Sequence, residues 1–360
     1  MKVCILGNGL VSFSLANVLI QKNLQVDILF NKKNIEYDKT RTLGISKSNL
    51  DYFNKEIANI EKISWKINNI KIFTENYNDQ EIINFSNKRK EVFAIINNYK
   101  LYELLKKKLQ KSKIVKFKNS SEYKKIIKEN YKLIINCDFE HEITNNFFFN
   151  RIEKNYHSKA YTTIITHKKF LKNDIAYQNF TNVGPIAFLP VSNFETSVVY
   201  SLRDNSKKNK SDIKNLIRKF NPKYSIIKID DCKEFNLKSS TLRRYYKENI
   251  LAFGDLLHKI HPLAGQGFNM SLRDIKILSK LIDERMNVGL DLDTSICSDF
   301  QKSIQDKNFI FSAGIDWIYE IFNFESKTNS QLISKSIKMI GKNRSINSLF
   351  KRFADNGIRF

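Results

Sequence analysis

The first thirty residues carry a short apolar run, Val3 to Leu6, then the turn Gly7-Asn8-Gly9, then a stretch in which Phe13, Ala16, Leu19 and Ile20 recur at helical spacing. A second apolar run, Gln25 to Phe30, closes the segment. Strand, glycine turn, helix and strand in that order form a βαβ unit. A chain that opens this way is committed to a layered α/β architecture with at least one parallel sheet.

Later segments modify that commitment. Lys132 to Cys137 and Ile250 to Phe253 read as further buried parallel strands, and Tyr99 to Leu109 as an amphipathic helix. Between them stand β-like runs of a different kind: Ile70 to Phe73, Val92 to Ile96, YTTIIT, PIAFLP, TSVVYSL and YSIIKI. Two blocks of β meander thus interrupt a βαβ framework. The expected division is a Rossmann-like domain, discontinuous over 1–65, 97–155 and 240–298, and a second, β-rich domain over 66–96 and 156–239. A helical C-terminal region over 299–360 completes it, with Phe311, Ile315, Ile318 and Phe322 as one apolar row and Ile333, Ile337 and Ile340 as another.

Two glycine-bearing stretches carry the chemistry. In Gly7-Asn8-Gly9-Leu10-Val11-Ser12, Gly7 permits a tight turn, Gly9 lets a pyrophosphate approach the backbone, and the following helix offers free N–H groups. Ser12 stands where a third glycine is usual, and Phe30-Asn31 where an acid would bind ribose. The second stretch, GDLLHKIHPLAGQGFNMSLRD, takes three of only 11 glycines, one of four prolines and two of five histidines. Asp255 ends a strand, where it suits a polyol. Gly265 and Gly267 leave room for a flat ring, and a helix starting near Asn269 points N–H groups at an electron-rich carbonyl. These are the needs of a flavin.

The second stretch resembles the motif GDAAHxxHPxAGQGxNxGxxD of the class A flavoprotein aromatic hydroxylases, the para-hydroxybenzoate hydroxylase fold, in their ubiquinone-biosynthesis branch. It matches at Gly254, Asp255, His258, His261, Pro262, Ala264, Gly265, Gln266, Gly267, Asn269 and Asp274, and departs at Leu256, Leu257 and Ser271. Three more segments are similar in order: Asp38 to Ser46 with Arg41, Ile95 to Leu101 with Asn98, and Ala176 to Pro190. Asn136 to Glu140 is the weakest match, keeping Asp138 but placing Phe139 where the family has glycine.

The resemblance implies a cofactor site of Gly7, Gly9, Leu10, Val11, Ser12, Arg41, Asn98, Asp138, Gly254, Asp255, Pro262, Gly265, Gln266, Gly267, Phe268 and Asn269. Tyr177, Pro190 and His261 are the expected substrate-side residues. It further implies FAD, reduced by NAD(P)H as co-substrate, reacting with O2 through a flavin hydroperoxide to hydroxylate the aromatic ring of a polyprenyl phenol. No metal and no residue of acid–base catalysis is assigned; for His258 and His261 the simpler expectation is to fix the loop. The alternatives are a hydroxylase of a soluble aromatic substrate and a non-catalytic scaffold homologue with weakened FAD binding, the latter suggested by Phe30, Phe139 and Ser12.

Charge and cysteine content bound the partners. The net charge of +24 comes from 49 Lys and only 12 Arg, spread along the chain, which argues against nucleic acid. It reads first as a diffuse lysine bias of a solvated surface, with peripheral contact with an anionic membrane surface as the alternative, and association with a ubiquinone-biosynthesis complex is also expected. No apolar run is long enough for a transmembrane helix, and MKVCILGNGL reads as a strand rather than a signal peptide. Cys4, Cys137, Cys232 and Cys297 lack metal-binding spacing and are expected to be buried thiols in a cytoplasmic protein.

Overall fold

The structure, a computed structural model, describes residues 1–30, 39–75, 80–86, 91–120, 122–203, 210–262 and 265–328. The sequence expectations at Asn31, Asp38, Leu263, Ala264, Ile333, Ile337 and Ile340 lie outside them.

The opening unit folds as β1 (Lys2–Leu6), α1 (Leu10–Gln21) and β2 (Gln25–Phe30). β1 pairs in parallel with β2 on one side and with β9 (Leu133–Asn136) on the other. β8 (Val115–Asn119) extends the sheet beyond β2, and β17 (Ile250–Ala252) with the antiparallel β16 (Tyr246–Lys247) extends it beyond β9. The resulting order is β16-β17-β9-β1-β2-β8. Val3 to Leu6 and Leu133 to Asn136 are fully buried, which is why those strands are continuous apolar runs rather than alternating ones. The order in which strands are added reverses between β1 and β9, and in such sheets ligands bind in the crevice at the carboxyl ends of those strands.

The β-rich part forms one large sheet. Its path is β18 (His258–Lys259), β15 (Lys233–Leu242), β10 (Arg151–His167), β13 (Glu195–Arg203), β12 (Gly184–Pro190), β11 (Ile175–Thr181), β5 (Asn69–Thr74) and β6 (Gln80–Ser86). β14 (Ile226–Ile229) pairs with the end of β10. Side chains alternate between faces. The outer face, with Ile186, Phe188, Val198 and Tyr200, packs with Ile213 and Ile217 of α6 (Lys210–Lys219). The inner face, with Ala160, Phe180 and Leu237, meets Ile260, Met270 and the apolar row Phe311, Ile315, Tyr319 and Phe322 of α8 (Thr294–Thr328).

A third, three-stranded sheet joins β3 (Thr42–Ser46), β7 (Phe93–Asn97) and β4 (Ser64–Ile67). The expected 66–96 block therefore divides: β5 and β6 enter the large sheet, whereas β7 pairs with β3. The boundary expected at 240 also shifts, because β15 runs to Leu242 and β18 pairs with it across Thr241 and His258. Hydrogen-bonding register, invisible in a local pattern, sets both divisions.

Candidate functional site

Gly7 closes β1, and its amide donates to the Leu29 carbonyl at 2.8 Å. Gly7 has φ +101°, a conformation that side-chain-bearing residues rarely adopt, whereas a Cβ there would make only ordinary contact, 3.5 Å, with the Cys137–Asp138 backbone. Asp138 turns there through its own carboxylate, which accepts from Glu140 N at 2.9 Å, while its carbonyl accepts from Thr144 Oγ1. Gly9 begins α1 with no side-chain cap, and a Cβ built on it meets nothing within 4 Å. The first-turn N–H groups of Leu10, Val11 and Ser12 thus border open space at the positive end of a helix, the arrangement that receives a phosphate. Ser12, in place of glycine, is buried.

The second strand end brings Gly254 over the same helix. Gly254 has φ +66°, and a Cβ on it would lie 3.0 Å from Val11 Cγ1, so both the conformation and the contact with α1 require glycine. Asp255 follows in a 3-10 turn, Gly254–Leu256; it is exposed and makes no hydrogen bond or ion pair among the described residues. Its carboxylate remains available to hydroxyl donors.

α7 spans Gln266–Asn287, starting three residues before the expected Asn269. Gly265 caps it in the left-handed conformation, φ 62°, with its N–H bonded to the Pro262 carbonyl at 3.2 Å. No side chain caps this terminus either, and a Cβ on Gly267 would approach only Ile260 Cγ1, at 4.0 Å. Gln266 Oε1 is buried without a partner at the same point. Asn269 has a different task. Its Oδ1 accepts from Ser46 N and from Asn49 Nδ2, both at 2.9 Å, and its Nδ2 donates to the carbonyls of Gly44 (2.9 Å) and Gly265 (3.2 Å). It clasps α7 to β3 and to α2 (Lys47–Glu56) rather than offering its amide to a ligand. Phe268 likewise packs inward, 6.4 Å from the ring of Phe53.

Arg41 is exposed at the start of β3, with its guanidinium 5.1 Å from the ring of Phe235 on the inner face of the large sheet. Beside it Thr42 Oγ1 donates to Ser197 Oγ at 2.8 Å, linking β3 to the large sheet. The Arg41 carbonyl accepts from the N–H of Asn98, the first residue of α3 (Asn98–Gln110); Asn98 Oδ1 is buried and unpaired.

These features fit a flavin dinucleotide on its phosphate and ring sides: two uncapped helix N-termini, open space over Gly9 and Gly267, a free carboxylate at Asp255, and orphaned carbonyl oxygens on Asn98 and Gln266. The ribose side differs. The acid in β2 is Asp27, buried in mid-strand and engaged by Lys2 (3.1 Å), Lys118 (2.8 Å) and Tyr131 (2.7 Å), so it is spent within the fold. Phe139 faces the Arg151 guanidinium, 5.3 Å away, and lines an open cavity of about 440 Å³ with Thr144, Asn145, Phe149 and Glu153.

The substrate-side candidates separate. Tyr177 packs on the outer face with the α6 cluster, its ring 4.9 Å from Lys223 Nζ, and so does not line the seam between sheet and flavin-side loop. Pro190 has the strand parity of Ile186 and Phe188 and shares that outer face. Burial among Phe170, Tyr177 and Tyr224 pulls the Lys223 amine down to about 8. His258 is buried and paired with Asp274, 2.5 Å away. His261 is buried between Tyr156 and Tyr319, and burial pulls its pKa down to about 3. Sequence reasoning missed Asn49, Tyr156 and Tyr319, which lie outside the matched segments. None of the four cysteines is in a disulfide, and burial pushes Cys137 and Cys297 up to about 12.

The fold is that of FAD-dependent monooxygenases. Klebsiella pneumoniae HpxO, solved with FAD and uric acid, aligns with a TM-score of 0.77 over 99% of this chain and 97% of its own at 12% identity. The p-nitrophenol 4-monooxygenase PnpA of Pseudomonas putida gives 0.76 over 99% and 98% at 13%. Residues 148–289, which include the second glycine stretch, match the FAD binding domain family. Among curated proteins the chain is similar to ubiquinone biosynthesis monooxygenase COQ6 of Xenopus tropicalis, 24% identical over 48% of this chain and 46% of that protein. It is also similar to 3-demethoxyubiquinol 3-hydroxylase of Escherichia coli, 28% identical over 42% and 40%. The matches span under half the length of these curated relatives.

Proposed function

We propose that this protein is an FAD-dependent monooxygenase that hydroxylates the aromatic ring of a polyprenylated phenol in ubiquinone biosynthesis, with NAD(P)H and O2 as co-substrates. The observations that carry the reading are two uncapped helix N-termini, α1 behind Gly9 at the reversal point of the parallel sheet and α7 behind Gly265, and a free Asp255 in the turn whose Gly254 packs on α1. The names of the curated relatives supply the substrate class.

Bound FAD supplies the redox chemistry, accepting electrons from NAD(P)H and activating O2 to place one oxygen on the ring. The chain's own residues bind, orient and exclude water. The N–H groups of Leu10 to Ser12 would hold the pyrophosphate, Asp255 the polyol hydroxyls, and the turn from Pro262 to Gly267 the flavin edge, where the α7 terminus favours negative charge. The Asn269 clasp fixes that turn against β3. Phe180, Leu237, Phe311 and Phe322 pack together into a buried apolar core between the large sheet and α8, which keeps water out there.

A peripheral membrane position belongs to the same proposal. No described helix is long and apolar enough to cross a membrane. The outer side of α8 nevertheless exposes Phe309, Ile310, Trp317 and Phe324, at 51, 43, 72 and 61% exposure, which supports surface contact with lipid or with a biosynthetic complex.

The test is O2-dependent NAD(P)H oxidation by the purified protein with a polyprenyl phenol, followed by mass analysis. A product heavier by one oxygen is expected. A colourless protein that takes up no added FAD would overturn the reading in favour of a non-catalytic homologue.

A further inference from the structure

His258 and His261 approach the same turn three residues apart, and the fold gives them opposite surroundings. His258 is satisfied by Asp274. His261 is 1% exposed, and neither of its ring nitrogens has a hydrogen-bond partner among the described residues. The Tyr156 ring meets it edge-on at 4.8 Å between centroids, and the Tyr319 ring lies 4.4 Å away at 31°. The hydroxyls of both walls are engaged elsewhere, Tyr156 with the Asp316 carboxylate and Tyr319 with Ser158 Oγ. They do not satisfy the imidazole.

Desolvation, assisted by Lys154, holds this imidazole neutral at physiological pH, so it carries one N–H donor and one bare acceptor nitrogen. A buried donor and acceptor left without partners are destabilising, and such groups in a folded protein call for an explanation. Packing alone does not provide one, since a phenylalanine would fill the same aromatic box without that cost. The position is informative: His261 leads directly into Pro262, whose carbonyl forms the turn that opens α7, and it borders the seam containing Phe180, Leu237 and Phe322. Polar recognition here would place a ligand's hydroxyl at the turn that opens α7.

We propose that His261 recognises the phenolic hydroxyl of the substrate, its bare ring nitrogen accepting the O–H. This rests on the reading of the protein as a polyprenyl-phenol monooxygenase and adds the residue that selects a free phenol. A pocket built to satisfy a hydroxyl rejects an analogue that lacks one, because the buried acceptor is then left unpaired.

The test uses the FAD-loaded protein and two probes, 2-geranylphenol and its methyl ether, with affinities read from the quenching of flavin fluorescence. The native protein should prefer the phenol by about tenfold or more, the scale of one buried hydrogen bond. His261→Phe, which keeps the aromatic volume, should bind both probes alike, and His261→Gln should recover part of the preference. Flavin content and thermal midpoint check that each variant is folded; if His261→Phe fails there, the same ratio in His261→Gln decides, and an undiminished preference in it overturns the proposal. A preference that survives in folded His261→Phe, or a native protein that binds both probes equally, overturns the role of His261 while leaving the monooxygenase reading in place. Binding of neither probe overturns both.

Discussion

His258 Nε2 lies 2.5 Å from Asp274 Oδ2 with both side chains closed to solvent, and Asn308 Nδ2 donates to the other carboxylate oxygen at 3.1 Å. Three elements meet in this contact: β18 at the edge of the large sheet, α7 behind the flavin-side turn, and α8. Removing one member of a buried pair leaves an uncompensated polar group, which costs about 3–5 kcal/mol. Asp274→Ala is therefore expected to lower stability on that scale in urea titration, and Asp274→Asn, which retains one hydrogen bond, to lower it less. An Asp274→Ala variant as stable as the native protein would remove the contact from any structural role.

Asp255 is the opposite case, a carboxylate of the same motif with no partner in the protein. Asp255→Ala should weaken FAD retention by about 1–3 kcal/mol, the scale of a charge-assisted hydrogen bond, while leaving the melting point of the flavin-free protein unchanged. Flavin titration and thermal denaturation separate the two effects. Unchanged flavin affinity would move the polyol contact elsewhere.

The Asn269 clasp predicts a coupled loss. Asn269→Leu removes bonds to Ser46, Asn49, Gly44 and Gly265, so stability should fall by roughly 2–4 kcal/mol and flavin affinity should fall with it. Asn49→Ala touches only part of the network and should give the smaller effect in the same two measurements.

Two glycines should respond differently to enlargement. A side chain at Gly267 has open space before it, so Gly267→Val should leave a folded protein that fails to retain flavin. A Cβ at Gly44 would lie 1.8 Å from Phe93 Cε1, so Gly44→Ala should destabilise the β3–β7 pairing itself. Soluble yield, circular dichroism and flavin content distinguish these outcomes.

His261 also predicts a pH dependence. Its folded pKa near 3 lies below the ordinary 6.5, so between those values the unfolded chain binds a proton that the native state refuses. Stability from this residue is then fully present above about pH 6.5 and declines as the pH falls towards 3. Lys154 and the Tyr156, Asp316, Tyr319 and Glu320 groups that surround it are retained in His261→Phe, which should flatten the urea-midpoint curve across that window. An unaltered slope would show that this ring protonates freely in the native state.

Local pattern made some elements legible and hid others. β1, β9 and β17 stand out because strands buried on both faces must be apolar throughout. α7 was expected to start near Asn269 but begins at Gln266; Gln266, Asn269 and Ser271 are polar yet buried, and the burial of Asn269 follows from its clasp on β3 and α2. Tyr177 falls in a segment similar to a substrate-domain motif, yet its side chain points to α6. Alternation says which residues share a face and not which face meets the flavin-side loop.

By itself the sequence determined the βαβ commitment, the two glycine-bearing turns, the apolar inner row of α8 and the absence of metal-binding cysteine spacing, because each follows from short-range geometry or side-chain chemistry. Tertiary structure alone decided that β7 leaves the large sheet for β3, that Asn269 binds protein while Asp255 stays free, and that of two histidines three residues apart one is paired and the other unsatisfied. Those outcomes depend on partners 16 to more than 200 residues away, Asp274 for His258 and Ser46 for Asn269, which only the folded chain brings within hydrogen-bonding distance.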